Sequence, residues 1–331
     1  MALLAPSLAP QQISWAVTTL RLLYANRWAR YALTLALLVL VVAKVDPQRL
    51  LASLQSARAE YVALALLLTA PFLYLKALRW HLLLRAGDIQ ASFLESTVSL
   101  IGGMGLGLVT PARLGELVRA AYLRDPRKLR IGGLVLIDKG LDVLVLAALS
   151  IPGAWRLLGP LAGMAFVVVT FSGLFLVYSP GRVLVWLGAV SFRFPPRAKL
   201  ERVWSSLESL STRATTTYLV LTALSFVVVL VQFGLILLSW RNWSFSVVAL
   251  TFPLVILTNV LPLTIGGLGI REAAAVVLLG HYGVPSAHAA LAAFLMFAIN
   301  TALPGIVGAV LLPPAAAARG AAGTAPSAEQ L

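Results

Sequence analysis

Residues 216–239 contain no charged side chain. About 20 consecutive apolar residues are what a helix needs to cross the hydrocarbon core of a bilayer. Five further apolar stretches, 31–45, 61–80, 131–151, 157–178 and 287–312, are of the same kind. In lipid every backbone N–H and C=O must find an internal partner, and helices achieve this within one segment. The 331 residues are 60% hydrophobic and only 11% charged, whereas a soluble domain carries about 25% charged residues on its wetted surface. Two soluble domains are therefore excluded, and the pattern predicts an all-α polytopic membrane protein with about six spanning helices.

The formal charge of +14 would suggest nucleic acid on a soluble chain. Here the basic residues fall mainly in short loops between apolar runs, as the positive-inside rule requires, so nucleic acid is not an expected partner. Cysteine is absent, which removes disulfides, thiolate metal sites and cysteine nucleophiles. Gly103-x-Gly105-x-Gly107 lacks the spacing and the strand–turn–helix context of a dinucleotide site. No metal or cofactor is expected. The aromatic residues Trp155, Trp186, Trp204, Trp240 and Trp243 fall near the expected membrane interfaces.

Two apolar stretches, 92–123 and 247–280, are interrupted by glycine and proline. The first is flanked by Arg79 and Arg85 on one side and by Arg124, Arg127, Lys128 and Arg130 on the other. Both flanks read as cytoplasmic, so the chain between them enters and leaves on one side, as a re-entrant hairpin or as two full crossings. Its turn is placed at the glycines 102–107, with Gly105 and Gly107 as helix breaks beside Pro111 and Gly115. Alternation then puts the second hairpin in from the outside, broken at Pro262, Gly266, Gly267 and Gly269. Residues 1–30 form a cytoplasmic segment, 31–312 a single transmembrane domain, and 313–331 a disordered cytoplasmic tail. Asp46-Pro47 should start an interfacial helix with Leu50, Leu51, Leu54 and Ala57 on one face, and Pro196 a second one.

The two breaks have related sequences. The first reads Thr110-Pro111-Ala112-Arg113-Leu114-Gly115-Glu116-Leu117-Val118-Arg119, the second Leu261-Pro262 followed by Gly266-Gly267-Leu268-Gly269-Ile270-Arg271-Glu272. Oppositely oriented broken helices form an inverted repeat, a transporter design with its site at the repeat interface. These elements, with Leu78-Arg79-Trp80, Asp138-Lys139 and Asp142, resemble the flippase-like transmembrane region of lysylphosphatidylglycerol synthases over roughly residues 30–312. The family often has Glu-Arg where this chain has Asp138-Lys139. The resemblance implies a bacterial inner-membrane protein that moves lipids between leaflets, related to stand-alone members near hopanoid and glycolipid pathways. It lacks the aminoacyltransferase domain of the full synthases, so aminoacyl transfer is not expected.

Charges at membrane depth cost about 2.5–3.5 kcal/mol each on insertion scales. The chain places Arg113, Glu116, Arg119, Asp138, Lys139, Asp142, Arg271 and Glu272 in such segments. They either pin the broken helices together or line a path for a lipid headgroup, the arginines and the N-termini of the short helices meeting phosphate. Asn259, just before the Pro262 break, is expected to line the same cavity. Asn300 is helix glue or a second cavity group. Membrane lipids are the expected partners. The alternative is a non-transporting partner that scaffolds a lipid- or hopanoid-modifying enzyme. Asp138 and Asp142 as acid and base of an enzyme lack any accompanying nucleophile or metal-ligand set.

Overall fold

A computed structural model describes residue 35 and residues 47–109, 114–179, 211–260, 264 and 267–311. These residues contain helices and short connections and no strand. The helices are α1 (Pro47–Ser56), α2 (Ala59–Leu67), α3 (Thr69–Ala86), α4 (Phe93–Val109), α5 (Lys128–Gly153), α6 (Pro160–Tyr178), α7 (Thr212–Leu238), α8 (Phe245–Leu257), α9 (Ile270–Gly280), α10 (Ser286–Phe297) and α11 (Leu303–Leu311). A 3₁₀ helix, Leu114–Tyr122, follows α4, and a 3₁₀ turn, Thr258–Val260, follows α8. Wide π turns link α5 to α6 at Ala154–Leu158 and α10 to α11 at Ala298–Ala302.

Four helices are long and apolar enough to cross a membrane: Ala59–Ala86, Pro160–Tyr178, Thr212–Leu238 and Ser286–Val310. They correspond to four of the expected spans. α5, over the expected 131–151 span, has the length but carries Asp138, Lys139 and Asp142. The first expected span and the Pro196 helix lie almost wholly outside the described residues, and the tail wholly so. The outer surface is apolar: Leu161, Val168 and Phe171 on α6 are 83, 63 and 67% exposed. The interior holds charges. That inversion is what lipid as solvent dictates, and the chain is a multi-pass helical membrane protein.

Local signals set the helix starts. Ser92 and Glu95 form a reciprocal capping box: Ser92 Oγ accepts the Glu95 N–H at 3.1 Å, and Glu95 Oε2 accepts the Ser92 N–H at 3.0 Å. Ser211 caps α7 by accepting the Ala214 N–H. Gly159, at φ 99°, turns the chain into α6, with Pro160 at its first position. α1 begins at Pro47 as expected, with Leu51 and Leu54 exposed and Leu50 packed towards Ala287 and Ala290.

Both interrupted stretches fold back on themselves. The first pairs α4 with the 3₁₀ helix, and Ser99 Oγ donates to the Arg119 carbonyl at 2.9 Å. Its two ends meet, since Arg127 donates to the Asp88 carbonyl at 2.6 Å and Arg130 bridges the Asp88 carboxylate at 2.9 Å. The second pairs α8 with α9. Its ends also meet, where Trp240 stacks on His288 at 4.8 Å. The segment Ala59–Ala86, about 42 Å of helix, separates the two junctions. At its start Arg58 donates to the Leu238 carbonyl at 2.7 Å, beside Trp240; at its end lies Asp88. The hairpins therefore start from opposite ends of one helix.

The expected breaks at Gly105 and Gly107 are not breaks. α4 runs straight through them, because a helix in lipid keeps its hydrogen bonds and uses glycine for close approach. A Cβ on Gly105 would lie 2.7 Å from the Gly305 carbonyl, and one on Gly308 2.1 Å from the Ile101 carbonyl, so α4 and α11 cross backbone to backbone. Gly102 and Gly103 make room for Tyr122 and Arg119 in the same way. Gly115 lies inside the 3₁₀ helix rather than at its break. Pro111, Pro262 and Gly266 lie outside the described residues. Gly267 and Gly269 do turn the chain, at φ 75° and 83°, where a Cβ would be strained.

Candidate functional site

Asp138 and Asp142 are four residues apart on α5 and so share a face. Arg79 of α3 reaches both. Its Nη2 lies 2.6 Å from Asp138 Oδ1, and its Nη1 donates to Asp142 Oδ1 at 2.8 Å and to Thr222 Oγ1 at 2.6 Å. Lys76, one turn earlier on α3, bridges Asp142 at 3.0 Å. On the other side Arg119 donates to Asp138 Oδ2 and to Glu116 Oε2, both at 2.8 Å. The last pair is tight because residues three apart eclipse each other in a 3₁₀ helix. Lys139 closes the series by pairing with Glu116.

The result is one alternating line of charge: Lys76, Asp142, Arg79, Asp138, Arg119, Glu116, Lys139. Each carboxylate bridges two cations. The middle is dry, with Arg79 and Arg119 each 1% exposed and Asp138 2%. The ends are open, with the Lys139 side chain 35% exposed and those of Lys76 and Asp142 16% each. Trp80 covers the centre, 5.3 Å below the Arg119 guanidinium.

The second break carries its own pair. Glu272 Oε2 accepts the Gly269 N–H at 2.6 Å, and Arg271 Nη2 donates to Glu272 Oε1 at 2.6 Å. The Arg271 guanidinium sits 4.7 Å from the Phe297 ring centroid. Asn259 packs against Gly267, where a Cβ would meet its Oδ1 at 2.0 Å. That oxygen and Thr264 Oγ1 are buried without a hydrogen-bond partner.

Of the expected site residues, Glu116, Arg119, Asp138, Lys139 and Asp142 thus come together, Arg271 pairs with Glu272, and Asn259 adjoins Gly267. Arg113 lies outside the described residues. Sequence reasoning missed Lys76 as a member. It also read Arg79 as a loop-flanking cation, whereas it is the centre of the network. Leu82-Leu83-Leu84 after Arg79 marks it as lying within an apolar run rather than beyond one. Thr69, Gln232 and Asn300 form a second, uncharged cluster between α3, α7 and the π turn. Gln232 Nε2 donates to the Ala65 carbonyl at 2.8 Å, to Thr69 Oγ1 at 3.2 Å and to Asn300 Oδ1 at 3.3 Å. Asn300 Nδ2 donates to Gln232 Oε1 at 2.9 Å.

No curated protein sequence matches the chain. A broken-hairpin helical membrane protein with these buried charges does have a family: residues 27–308 match the lysylphosphatidylglycerol synthase TM region, and the chain belongs to that family.

Proposed function

We propose that the chain is a lipid translocase of the bacterial inner membrane, moving a phosphate-bearing headgroup between leaflets without covalent change, with both termini in the cytoplasm. The observation that carries this reading is the alternating charge line with open lysine ends. A phosphate can replace Asp142 at Lys76, or Glu116 at Lys139, and the displaced carboxylate keeps its arginine. No buried charge is stranded during the exchange, so the headgroup finds a partner at membrane depth at low cost.

An inverted repeat of two re-entrant hairpins supports the same reading. A shift of 152 residues carries the start of α4, Phe93, to the start of α8, Phe245, and Arg119 to Arg271. A shift of 158 carries the start of α5, Lys128, to that of α10, Ser286. The same two shifts carry the Asp88–Arg130 contact onto Trp240–His288. Arms such as α9, about 16 Å long, are too short to cross about 30 Å of hydrocarbon. Such repeats hold a central site and expose it alternately.

The test is dithionite quenching of acyl-labelled phospholipid in proteoliposomes containing the full chain. Labelled lipid should equilibrate between leaflets faster than in protein-free vesicles. A non-transporting partner of a lipid-modifying enzyme would leave the rate at that of empty vesicles, and that result would refute the proposal.

A further inference from the structure

The neutral cluster occupies the place in the second half that the charged one occupies in the first. A shift of 153 residues carries Thr69 to Thr222 and Arg79 to Gln232, and the 158-residue shift carries Asp142 to Asn300. The contacts transform with the residues. Arg79 of α3 donates to Thr222 of α7, and Gln232 of α7 donates to Thr69 of α3. Arg79 pairs with Asp142 of α5, and Gln232 with Asn300 next to α10. Along α3 the two clusters are ten residues, about 15 Å, apart, near residues 69 and 79 of a helix running from 59 to 86. They flank its midpoint on either side.

Their exposure differs as their positions in an alternating cycle require. The first cluster is open through Lys139, 35% exposed. The second is shut, with Gln232 at 0%, Thr69 at 6% and Asn300 at 7%. A simple tie between helices would need neither the matching register nor the matching hydroxyl.

Resting on the translocase reading, we infer that Thr69, Gln232 and Asn300 form a second headgroup station, closed in this conformer and opened when the two halves exchange conformations, which takes the uncharged, hydroxyl-bearing part of the lipid headgroup. Its donors and acceptors are all neutral amide and hydroxyl groups, which exchange with hydroxyls one for one. Where the first station offers Asp142 to a cation, this one offers an amide. An ammonium headgroup therefore gains no counter-ion there, whereas a glycerol or sugar headgroup is fully matched. The substrate class is a phosphate-bearing lipid with a hydroxylated, amine-free headgroup.

The experiment compares acyl-labelled phosphatidylglycerol with phosphatidylethanolamine in proteoliposomes of otherwise fixed composition. The wild-type chain should exchange the glycerol lipid at least about tenfold faster. Asn300→Asp restores the carboxylate found at position 142 and should cut that preference to about threefold or less. Equal wild-type rates for the two lipids overturn the inference, as does an unchanged preference in a folded Asn300→Asp protein. If that variant does not fold, Thr69→Val is read instead; it should lower phosphatidylglycerol exchange selectively, and an unchanged rate overturns the inference. If wild type exchanges neither lipid, the translocase reading itself falls, and this one with it.

Discussion

Asp138 and Lys139 are neighbours in sequence, yet their replacement should have opposite consequences. Asp138 receives Arg79 at 2.6 Å and Arg119 at 2.8 Å, and both arginines are 1% exposed. Asp138→Asn removes the charge between them. Each arginine keeps one carboxylate, but two guanidiniums now face each other in a dry site. Removing one partner of a buried ion pair costs about 3–5 kcal/mol, a large share of any domain's stability. Lys139 ends the line, and its side chain is 35% exposed. Lys139→Gln leaves Glu116 with Arg119 and should cost no more than about 1 kcal/mol, as for other screened pairs. If Lys139 meets the phosphate, losing a charged hydrogen bond worth about 1.5–3 kcal/mol should slow lipid exchange by roughly 10- to 100-fold. Thermal unfolding in detergent, followed by monodisperse recovery, gives the first quantity, and labelled-lipid exchange gives the second. Equal destabilisation by both variants would refute the graded burial argument. A stable Lys139→Gln protein with undiminished exchange would refute the role of the open end.

Further outcomes follow from other parts of the fold. Gly308→Ala places a Cβ 2.1 Å from the Ile101 carbonyl and should destabilise by at least about 1–3 kcal/mol, while Gly132→Ala, with nothing within 4 Å, should be neutral or stabilising by up to about 1 kcal/mol; thermal unfolding separates them. Arg271→Gln takes the guanidinium from Glu272 and should lower both stability and exchange, whereas Arg271→Gln with Glu272→Gln should recover most of the stability and none of the exchange. Single cysteines at 88 and 127 should react with an impermeant thiol reagent from the same face, and one at 241 from the opposite face. Hydrogen bonds from the Arg127 guanidinium hold the Asp125 carboxyl below its ordinary range; a depressed carboxylate stabilises the fold above its unfolded pKa and loses that effect as pH falls through the folded one. Loop 124–130 should therefore resist acid-stable protease down to about pH 4 and loosen only below it.

Element positions were legible because lipid imposes a simple rule: an apolar run of sufficient length is a helix. The buried acids were legible for the complementary reason, since Asp138 and Asp142 interrupt such a run at helical spacing. Arg79 was not, because a cation near the end of an apolar run looks the same whether it faces headgroups or turns inwards. Only the packing of α3 against α5 and α7 decides that, and helix pairing leaves no local trace. The glycines at 102–107 misled for a related reason. Glycine permits both a turn and a close helix crossing, and the crossing depends on Gly305 and Gly308, some 200 residues away. Gln232 and Asn300 are single polar residues in long apolar runs, and their relation to Arg79 and Asp142 becomes visible only when contacts, rather than residue types, are compared.

The glycine crossing between α4 and α11 also sets a timetable for biosynthesis. Ile101 and Gly308 are separated by 207 residues, which take about ten to forty seconds to translate at about 5–20 residues per second. Throughout that interval the first hairpin lies in the bilayer with its glycine face uncovered, its α4 backbone turned towards lipid where α11 will later sit. A nascent chain at this stage is a natural client for a membrane chaperone, and a stalled or truncated chain displays the same bare face to the quality-control proteases of the membrane.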